Sequence, residues 1–526
     1  MKENEEIQAA DKEKTENLIL SQNQRESSLR IGRITDDTME NINNNLRNES
    51  ISHRNKVNSF QTILSIWNTM IGSSIVSLPY YVYCAGIIPT IIIGLLYGFI
   101  CYFTCRIVVK LGGQEEEFAI VVYNYFYYGL GEKYAKVGRV FQILFNLIIN
   151  IGATFVYFVI INQNLFPCLC LGLNKLFKVG LDGEDITPYF KKFSLFYTAL
   201  IVIMIVFPFT ILKKMTFLVK FNSKGIYFVS FLLLFLIGNG IYSLSTDKFH
   251  FEYKVNKNGI KDRNLLLFGQ NPSKLAGALS LGLFSHSVIL PLLKNNRKQE
   301  NNQRDLLVGY ILVTFTYIFI GIMGYIGFSG SYFDSEIFLD NWFRFFTSDN
   351  YYILALRLLN VVQLISIFPV LFFVVRNQLF NTFFEQYISS ISHIILFSCI
   401  LLLLCLLVLY FCYDVLSSLI SYIGASTALV LIYSIAPVTN MIYYYIRHQT
   451  REEVEKIIQE KKAKHPNVEE RIKYIFPDNL REPVPLKPVK AFFFYLSMMM
   501  IILVGIITFI LQFFNVNFFN IKIKKN

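Results

Sequence analysis

The stretch from Trp67 to Pro79 reads WNTMIGSSIVSLP and lies inside a long apolar segment. It places an amide, several hydroxyls and a glycine at the depth of the bilayer centre, followed by a short apolar run and a proline. A helix that unwinds at this depth frees backbone N–H and C=O groups, which is tolerated only where those groups line a cavity or meet a ligand. Because Gly72 has no side chain, the backbone there is free to break and to be approached closely. The stretch therefore predicts an interrupted membrane helix.

A second stretch, Ser285 to Pro291, reads SHSVILP and repeats the pattern. The two stretches fall in the first and sixth apolar segments, which begin the corresponding halves of a five-plus-five arrangement. Paired interruptions at matching places point to a transporter site built on inverted repeats. The alternative is that glycine and serine only let helices pack closely, which explains one such stretch better than two.

The composition around these stretches is typical of a membrane protein. Of the 526 residues, 54% are hydrophobic and only 16% are charged, against about a quarter charged in soluble domains. Apolar blocks of about 20 residues, the length that crosses a bilayer as a helix, recur along the chain. We predict eleven spans, near 57–82, 87–109, 139–163, 194–213, 225–246, 271–293, 306–328, 351–375, 390–412, 415–446 and 489–514. The predicted fold class is an all-α polytopic membrane protein, with helices 1 and 6 broken within a five-plus-five inverted repeat and an eleventh helix after it.

The net charge of +12 does not indicate a nucleic-acid partner. Lysine and arginine lie between the apolar blocks, without a basic stripe or reader motif, and fit loops on the cytosolic side. The charge distribution predicts a cytosolic N-terminus. The expected organisation is a disordered cytosolic tail over 1–56, a ten-helix core over 57–446, a cytosolic loop over 447–488, the eleventh helix over 489–514 and a lumenal tail over 515–526.

The two interruptions suit a zwitterion such as an amino acid. The N-terminal end of a resumed half-helix offers free N–H groups and a positive dipole to a carboxylate, while freed carbonyls accept from an ammonium group. We therefore predict that the substrate binds at both breaks. The candidate residues are Thr69, Met70, Ile71, Gly72, Ser73, Ser74, Ser285, His286 and Ser287.

The predicted spans hold no Asp or Glu in their interiors, which disfavours a carboxylate proton relay. A coupling cation would have to bind carbonyls, amides and hydroxyls, an oxygen set suited to sodium. Asn68 and Ser366 are the candidate sodium ligands, although a serine in a helix often only bonds its own helix carbonyl. His393 is a candidate pH-responsive group, or else an ordinary helix-contact residue. No other cofactor and no hydrolase or kinase constellation is predicted, so we do not expect an enzyme.

At these residues the chain resembles the amino acid/auxin permease family, and within it the sodium-coupled neutral amino acid transporters. The resemblance is carried by Trp67–Pro79, by Ser285–Tyr317 and by Gln363–Gln378, and it covers most of residues 57–446. It implies an eleven-helix permease with broken first and sixth helices, amino acid binding at Thr69–Ser74, and sodium near the two candidate ligands.

The resemblance also implies a lysosomal, late endosomal or vacuolar membrane, with the plasma membrane as the alternative, and a pH response at His393. It implies a Rag GTPase/Ragulator-type partner for the N-terminal tail, in which we find no matching segment. We expect a transporter of arginine, glutamine or other neutral amino acids. The alternative is an amino acid sensor that signals to TORC1-type complexes through its tail, whereas an ion channel would need a charged ring or filter that is missing.

Overall fold

The computed structural model describes most of the predicted membrane core. The described residues are 56–72, 74–113, 117–183, 193–246, 251–252, 265–329, 341–347, 350–383, 390–412, 416–449 and 488–513, with the single positions 456 and 459. The predicted tails over 1–56, apart from Lys56, and over 515–526 lie outside the described residues, as do Ser73 and most of the predicted 447–488 loop. The residues from Val57 onward belong to one compact unit.

The described residues of the first half of the unit form seven helices and one very short strand pair. The helices are α1 Ser59–Ile71, α2 Ser74–Ala85, α3 Ile87–Gly112, α4 Phe118–Gly129, α5 Glu132–Phe177, α6 Leu195–Thr210 and α7 Met215–Thr246. Strands β1 Phe251–Glu252 and β2 Leu265–Leu266 then pair in parallel.

The second half is again helical. Its helices are α8 Pro272–Gly282, α9 Ile289–Lys294, α10 Asn302–Ser329, α11 Tyr351–Phe383, α12 Ile391–Cys412, α13 Leu416–Val430, α14 Ala436–Arg447 and α15 Pro488–Phe513. A short 3₁₀ turn, Gln299–Asn301, precedes α10, and another, Trp342–Phe345, precedes α11. One π-helical turn, Leu431–Ile435, joins α13 to α14.

The predicted class of all-α polytopic membrane protein is confirmed. Eight stretches of the described chain are helices long and apolar enough to cross a membrane: α3, α5, α7, α10, α11, α12, the α13–α14 segment and α15. The shorter apolar helix α6 and the two broken pairs, α1–α2 and α8–α9, occupy the remaining predicted spans. Since these last three are too short to meet the same length criterion, the count of eleven spans stays a prediction.

Several predicted boundaries were too narrow. The third span, predicted at 139–163, is the much longer helix α5, and the fifth, predicted at 225–246, begins ten residues earlier as α7. The charges of Lys220 and Lys224 placed the start of α7 in a predicted loop. Asn222 between them is fully buried, however, while Lys224 is exposed. The helix therefore starts as an amphipathic segment, and the lysines reach outward from it. Helix α4 was not predicted at all.

Helix α11 lies at the centre of the described unit. Its most apolar window is 78% buried, whereas that of α15 is only 17% buried, so α15 is peripheral and α11 is not. Helix α11 packs against α5 and α7, and α1 packs against α7 and α10. This packing brings the polar side chains of α11 next to the break in the first helix pair.

Candidate functional site

The first broken helix is interrupted at Gly72, as predicted. Gly72 has φ +42° and ψ −130°, a backbone conformation that residues with a side chain rarely adopt. The last hydrogen bond of α1 runs from the Gly72 N–H to the carbonyl of Asn68, at 3.1 Å. A Cβ at position 72 would overlap the hydroxyl of Tyr157. Glycine is therefore required here both for its backbone conformation and for space.

The second broken helix stops after Gly282 and resumes at Ile289, with turns over residues 283–288. Two predicted site residues between α8 and α9 contact α10 and α3. The Oγ of Ser285 lies 3.0 Å from the hydroxyl of Tyr310. The Nε2 of His286 lies 2.9 Å from the Oγ1 of Thr104.

One tyrosine links the two breaks. The hydroxyl of Tyr317, on α10, donates to the carbonyl of Met70 at 2.6 Å and to that of Gly282 at 3.2 Å. These carbonyls lie at the C-terminal ends of α1 and α8, where a helix leaves its last C=O groups without partners. Since one hydroxyl carries one hydrogen, it satisfies them only in part and leaves acceptor capacity at both ends.

A cavity of about 50 Å³ lies between the two breaks and α5. Its wall includes Thr69, Met70 and Ser74 from the first pair, and Gly282 and Ser287 from the second. Small-molecule sites are typically roughly 300–1,000 Å³, so a substrate as large as an amino acid needs the surrounding helices to move apart.

Contacts flank this cavity at both ends. On the side predicted to be cytosolic, Asn146 Nδ2 on α5 donates to Gln378 Oε1 on α11 at 2.8 Å, and Ser287 Oγ donates to Asn150 Oδ1 at 3.0 Å. On the opposite side, the buried Trp342 donates from Nε1 to the carbonyl of Ile75 in α2, at 3.3 Å. Ser287 thus joins the second break to α5, Trp342 joins α2 to the 3₁₀ turn before α11, and the Asn146–Gln378 bond joins α5 to α11.

Asn68 is the centre of a buried polar cluster. Its Nδ2 lies 2.8 Å from Asn222 Oδ1 and 3.1 Å from Ser366 Oγ, and its Oδ1 accepts from Gln363 Nε2 at 3.1 Å. Gly225 on α7 permits this approach, because a Cβ there would overlap both Ser366 Oγ and Asn68 Nδ2. The structure thus brings the two predicted sodium ligands into direct contact.

The cluster contains more acceptors than its amide groups can serve. Asn68 Nδ2 carries two hydrogens but faces three oxygens: Asn222 O, Asn222 Oδ1 and Ser366 Oγ. Ser366 also donates to its own helix, to the carbonyl of Gln363 at 2.6 Å. Ser366 therefore makes both the bond to its own helix carbonyl and the contact with Asn68. Among the described residues no group of three or more His, Cys, Asp or Glu side chains could hold a metal, so a cation here has only neutral oxygens.

The predicted site residues fall into distinct places. Thr69, Met70, Ser74 and Ser287 line the cavity; Ile71 and Gly72 lie at the break, while Ser285 and His286 contact α3 and α10. Ser73 lies outside the described residues. His393 is exposed at the start of α12, far along the chain from either break.

Sequence reasoning missed five neighbours of the breaks: Asn150, Tyr157, Asn222, Tyr317 and Gln363. Asn150 and Gln363 are polar side chains inside otherwise apolar spans, and this signal was available. Asn222 fell in a segment predicted to be a loop. The tyrosines have no distinguishing signal in a chain with 32 of them.

Comparison with known proteins identifies the family. The family described as transmembrane amino acid transporter protein matches residues 55–463. The chain belongs to this family. Its members are membrane carriers of amino acids rather than enzymes, which confirms the predicted resemblance and the expectation that the protein is not an enzyme.

Curated relatives and a solved structure agree with this assignment. The chain is similar to neutral amino acid transporter 9 of Xenopus tropicalis, with 26% identity over 439 residues, 75% of this chain and 76% of that protein. It is also 26% identical to the sodium-coupled neutral amino acid transporter 9 homolog of Caenorhabditis elegans over 428 residues, 72% of this chain and 67% of that protein. The crystal structure of MhsT in complex with L-phenylalanine shares the fold, with a TM-score of 0.51 and 14% identity, covering 85% of this chain and 98% of that one.

Proposed function

We propose that this amino acid transporter is a sodium-coupled carrier that works by alternating access. The observation that supports the proposal most directly is the meeting of helix ends of opposite polarity at one cavity. The N-terminus of α2 at Ser74 offers free N–H groups, and the C-termini of α1 and α8 at Met70 and Gly282 offer carbonyls. An amino acid carries a carboxylate and an ammonium group on adjacent atoms, so it matches this pair of half-charges.

Sodium would bind in the cluster around Asn68 and Ser366. The pair now shares a hydrogen bond of 3.1 Å, so a cation held by both oxygens would replace that bond. Gln363 touches both halves of the proposed machinery, because its Nε2 lies 3.1 Å from Asn68 Oδ1 and 3.4 Å from the carbonyl of Gly72. Occupancy of the cation cluster would in this way fix the backbone of the break that receives the substrate.

Alternating access would open one flank of the cavity while the other stays closed. Opening toward the predicted cytosol requires the Asn146–Gln378 bond to break, and opening to the other side requires Trp342 to leave Ile75. Neutral hydrogen bonds of this kind contribute about 0.5–1.5 kcal/mol each. Differential binding of an amino acid and one ion to the two arrangements would shift the equilibrium between them.

Arginine and neutral amino acids such as glutamine are the proposed substrates, since the helix ends recognise the head group that all of them share. We place the protein in a lysosomal, late endosomal or vacuolar membrane, with the plasma membrane as the alternative and His393 as a pH-responsive group. Co-localisation of a tagged chain with organelle markers tests which membrane holds the protein.

The test of function is uptake into proteoliposomes that contain the purified full chain. Labelled arginine, glutamine and leucine are compared under an inward sodium gradient and under the same gradient of choline. We expect saturable uptake of at least one amino acid that depends on sodium. Uptake equal to that of protein-free liposomes for the whole panel would reject the substrate class. Uptake that persists in choline and follows a proton gradient would reject sodium coupling alone.

A further inference from the structure

A second cavity lies at the end of the helices that the charge distribution predicts to be cytosolic. It is an open cleft of about 880 Å³ between α3, α14 and α15, with Gln303 at its edge. The residues that line it share a basic character: Arg106, Lys110, Arg447, His448 and Lys490. Among the lining residues that the structure describes, none is Asp or Glu.

These basic side chains have no counter-charge among the residues that the structure describes. None of them forms an ion pair with a described residue, and the Nε atom of Arg447 is buried without a hydrogen-bond partner. Lys110 is close enough to Arg106 and Arg447 for their charges to repel it. Residues that only flank a membrane span would spread apart into water to reduce this repulsion. Cations gathered from three helices around one cleft instead create a local positive potential that attracts a polyanion.

The inner part of the cleft is aromatic. Phe103, Tyr443, Tyr444 and Phe494 line it, with the Tyr444 ring stacked 4.2 Å from that of Phe494. Lys110 Nζ lies 5.0 Å from the centre of the Tyr443 ring, a cation–π distance. The cleft is therefore charged at its mouth and apolar at its base.

The surface next to the cleft is lipid-facing. Phe99, one helical turn deeper than Phe103, is 65% exposed and its ring stacks with that of Phe103. Phe492 and Phe493 at the start of α15 are exposed to a similar degree. A soluble anion would need only the charged mouth, whereas a lipid would use the charged mouth for its headgroup and the exposed rings for its chains.

We propose that this cleft binds a phospholipid whose headgroup carries several phosphates, such as a phosphoinositide of the cytosolic leaflet. Four permanent cations exceed what a lipid with one phosphate requires, and basic pockets between membrane helices on the cytosolic side suit such headgroups. The volume falls within the range of small-molecule sites, roughly 300–1,000 Å³. The inference does not depend on the proposed sodium coupling or substrate.

The test measures binding of short-chain lipids to the purified full chain. Dioctanoyl phosphatidylinositol bisphosphate is titrated by microscale thermophoresis, beside dioctanoyl phosphatidylcholine and soluble inositol trisphosphate. We expect the phosphoinositide to bind at least about tenfold more tightly than either of the others, and to bind less tightly as salt rises. Equal binding of phosphatidylcholine would overturn the headgroup assignment. Equal binding of inositol trisphosphate would overturn the lipid assignment in favour of a free phosphate site.

Variants locate the site. The double substitution Lys110→Gln with Arg447→Gln should weaken phosphoinositide binding by about tenfold or more, because each cation near an anionic lipid surface contributes appreciably. The matched control is Lys224→Gln with Lys298→Gln, two exposed lysines on the same predicted side but outside the cleft; it should stay within about twofold. Lys490→Gln, at an exposed position, should also weaken binding and carries little folding risk. Unchanged binding in both Lys490→Gln and the cleft double variant would reject the site.

Discussion

The hydroxyl oxygen of Tyr317 lies 2.6 Å from the carbonyl oxygen of Met70 and 3.2 Å from that of Gly282. A single side chain on α10 therefore connects the ends of both broken helices. Any motion that separates the two breaks must weaken at least one of these bonds.

Tyr317→Phe should impair transport more than it impairs folding. The change leaves two carbonyls without their donor, at a cost of about 1–3 kcal/mol when they are buried, and a loss of about 1.4 kcal/mol corresponds to tenfold. We expect uptake in proteoliposomes to fall by roughly tenfold. The control is Tyr325→Phe on the same helix, whose hydroxyl accepts from the N–H of Leu266, a residue that lies outside both breaks. Equal uptake by the two variants would contradict a special role for Tyr317.

Gly72→Ala should abolish uptake. The added Cβ overlaps the hydroxyl of Tyr157, and the positive φ disfavours any side chain. Gly113 provides a matched control, since it also has a positive φ of +57° but nothing within 4 Å of an added Cβ. Gly113→Ala should keep uptake near the wild-type rate, because it adds only the strain of a side chain at positive φ and no steric overlap. If Gly72→Ala transports as well as Gly113→Ala, the break is not part of the substrate path.

Ser366→Ala should raise the sodium concentration required for half-maximal uptake, by about tenfold for the loss of one buried ligand. Ser366→Thr keeps the hydroxyl and should behave nearly as the wild type. Ser230 is the control, because its Oγ only donates to the carbonyl of Ile226 in its own helix. A sodium dependence that is the same in Ser366→Ala and Ser230→Ala would show that Ser366 is not a sodium ligand.

Deletion of residues 1–50 separates a carrier from a sensor. These residues precede the first helix that the structure describes, which begins at Ser59, so a carrier should keep its full rate of uptake. The measurement pairs proteoliposome uptake with affinity purification of cytosolic partners from cells. Loss of a Rag GTPase complex at unchanged uptake would support the sensor alternative, whereas loss of uptake would tie the tail to transport itself.

The sequence predicted the breaks well because glycine, serine and proline interrupt an apolar pattern visibly. Trp67–Pro79 and Ser285–Pro291 are both interrupted where expected. The direction of each side chain was harder to predict, because a helix that is apolar on all sides has no amphipathic face to orient it. The sequence therefore did not show that Ser285 and His286 contact α10 and α3, whereas the adjoining Ser287 lines the cavity. Long-range partners such as Asn222 depend on helix packing, which local pattern does not encode.

The described residues that line the central cavity include no acidic or basic side chain, and the phenol of Tyr157 is the only ionisable group among them. Under the proposed mechanism the unloaded carrier would then move no net charge when it reorients, and the membrane voltage would act on the cargo alone. A neutral amino acid with one sodium ion would carry a single elementary charge, worth about 2.3 kcal/mol per 100 mV. The membrane voltage would drive the reorientation of the loaded carrier and would not affect the return of the empty carrier.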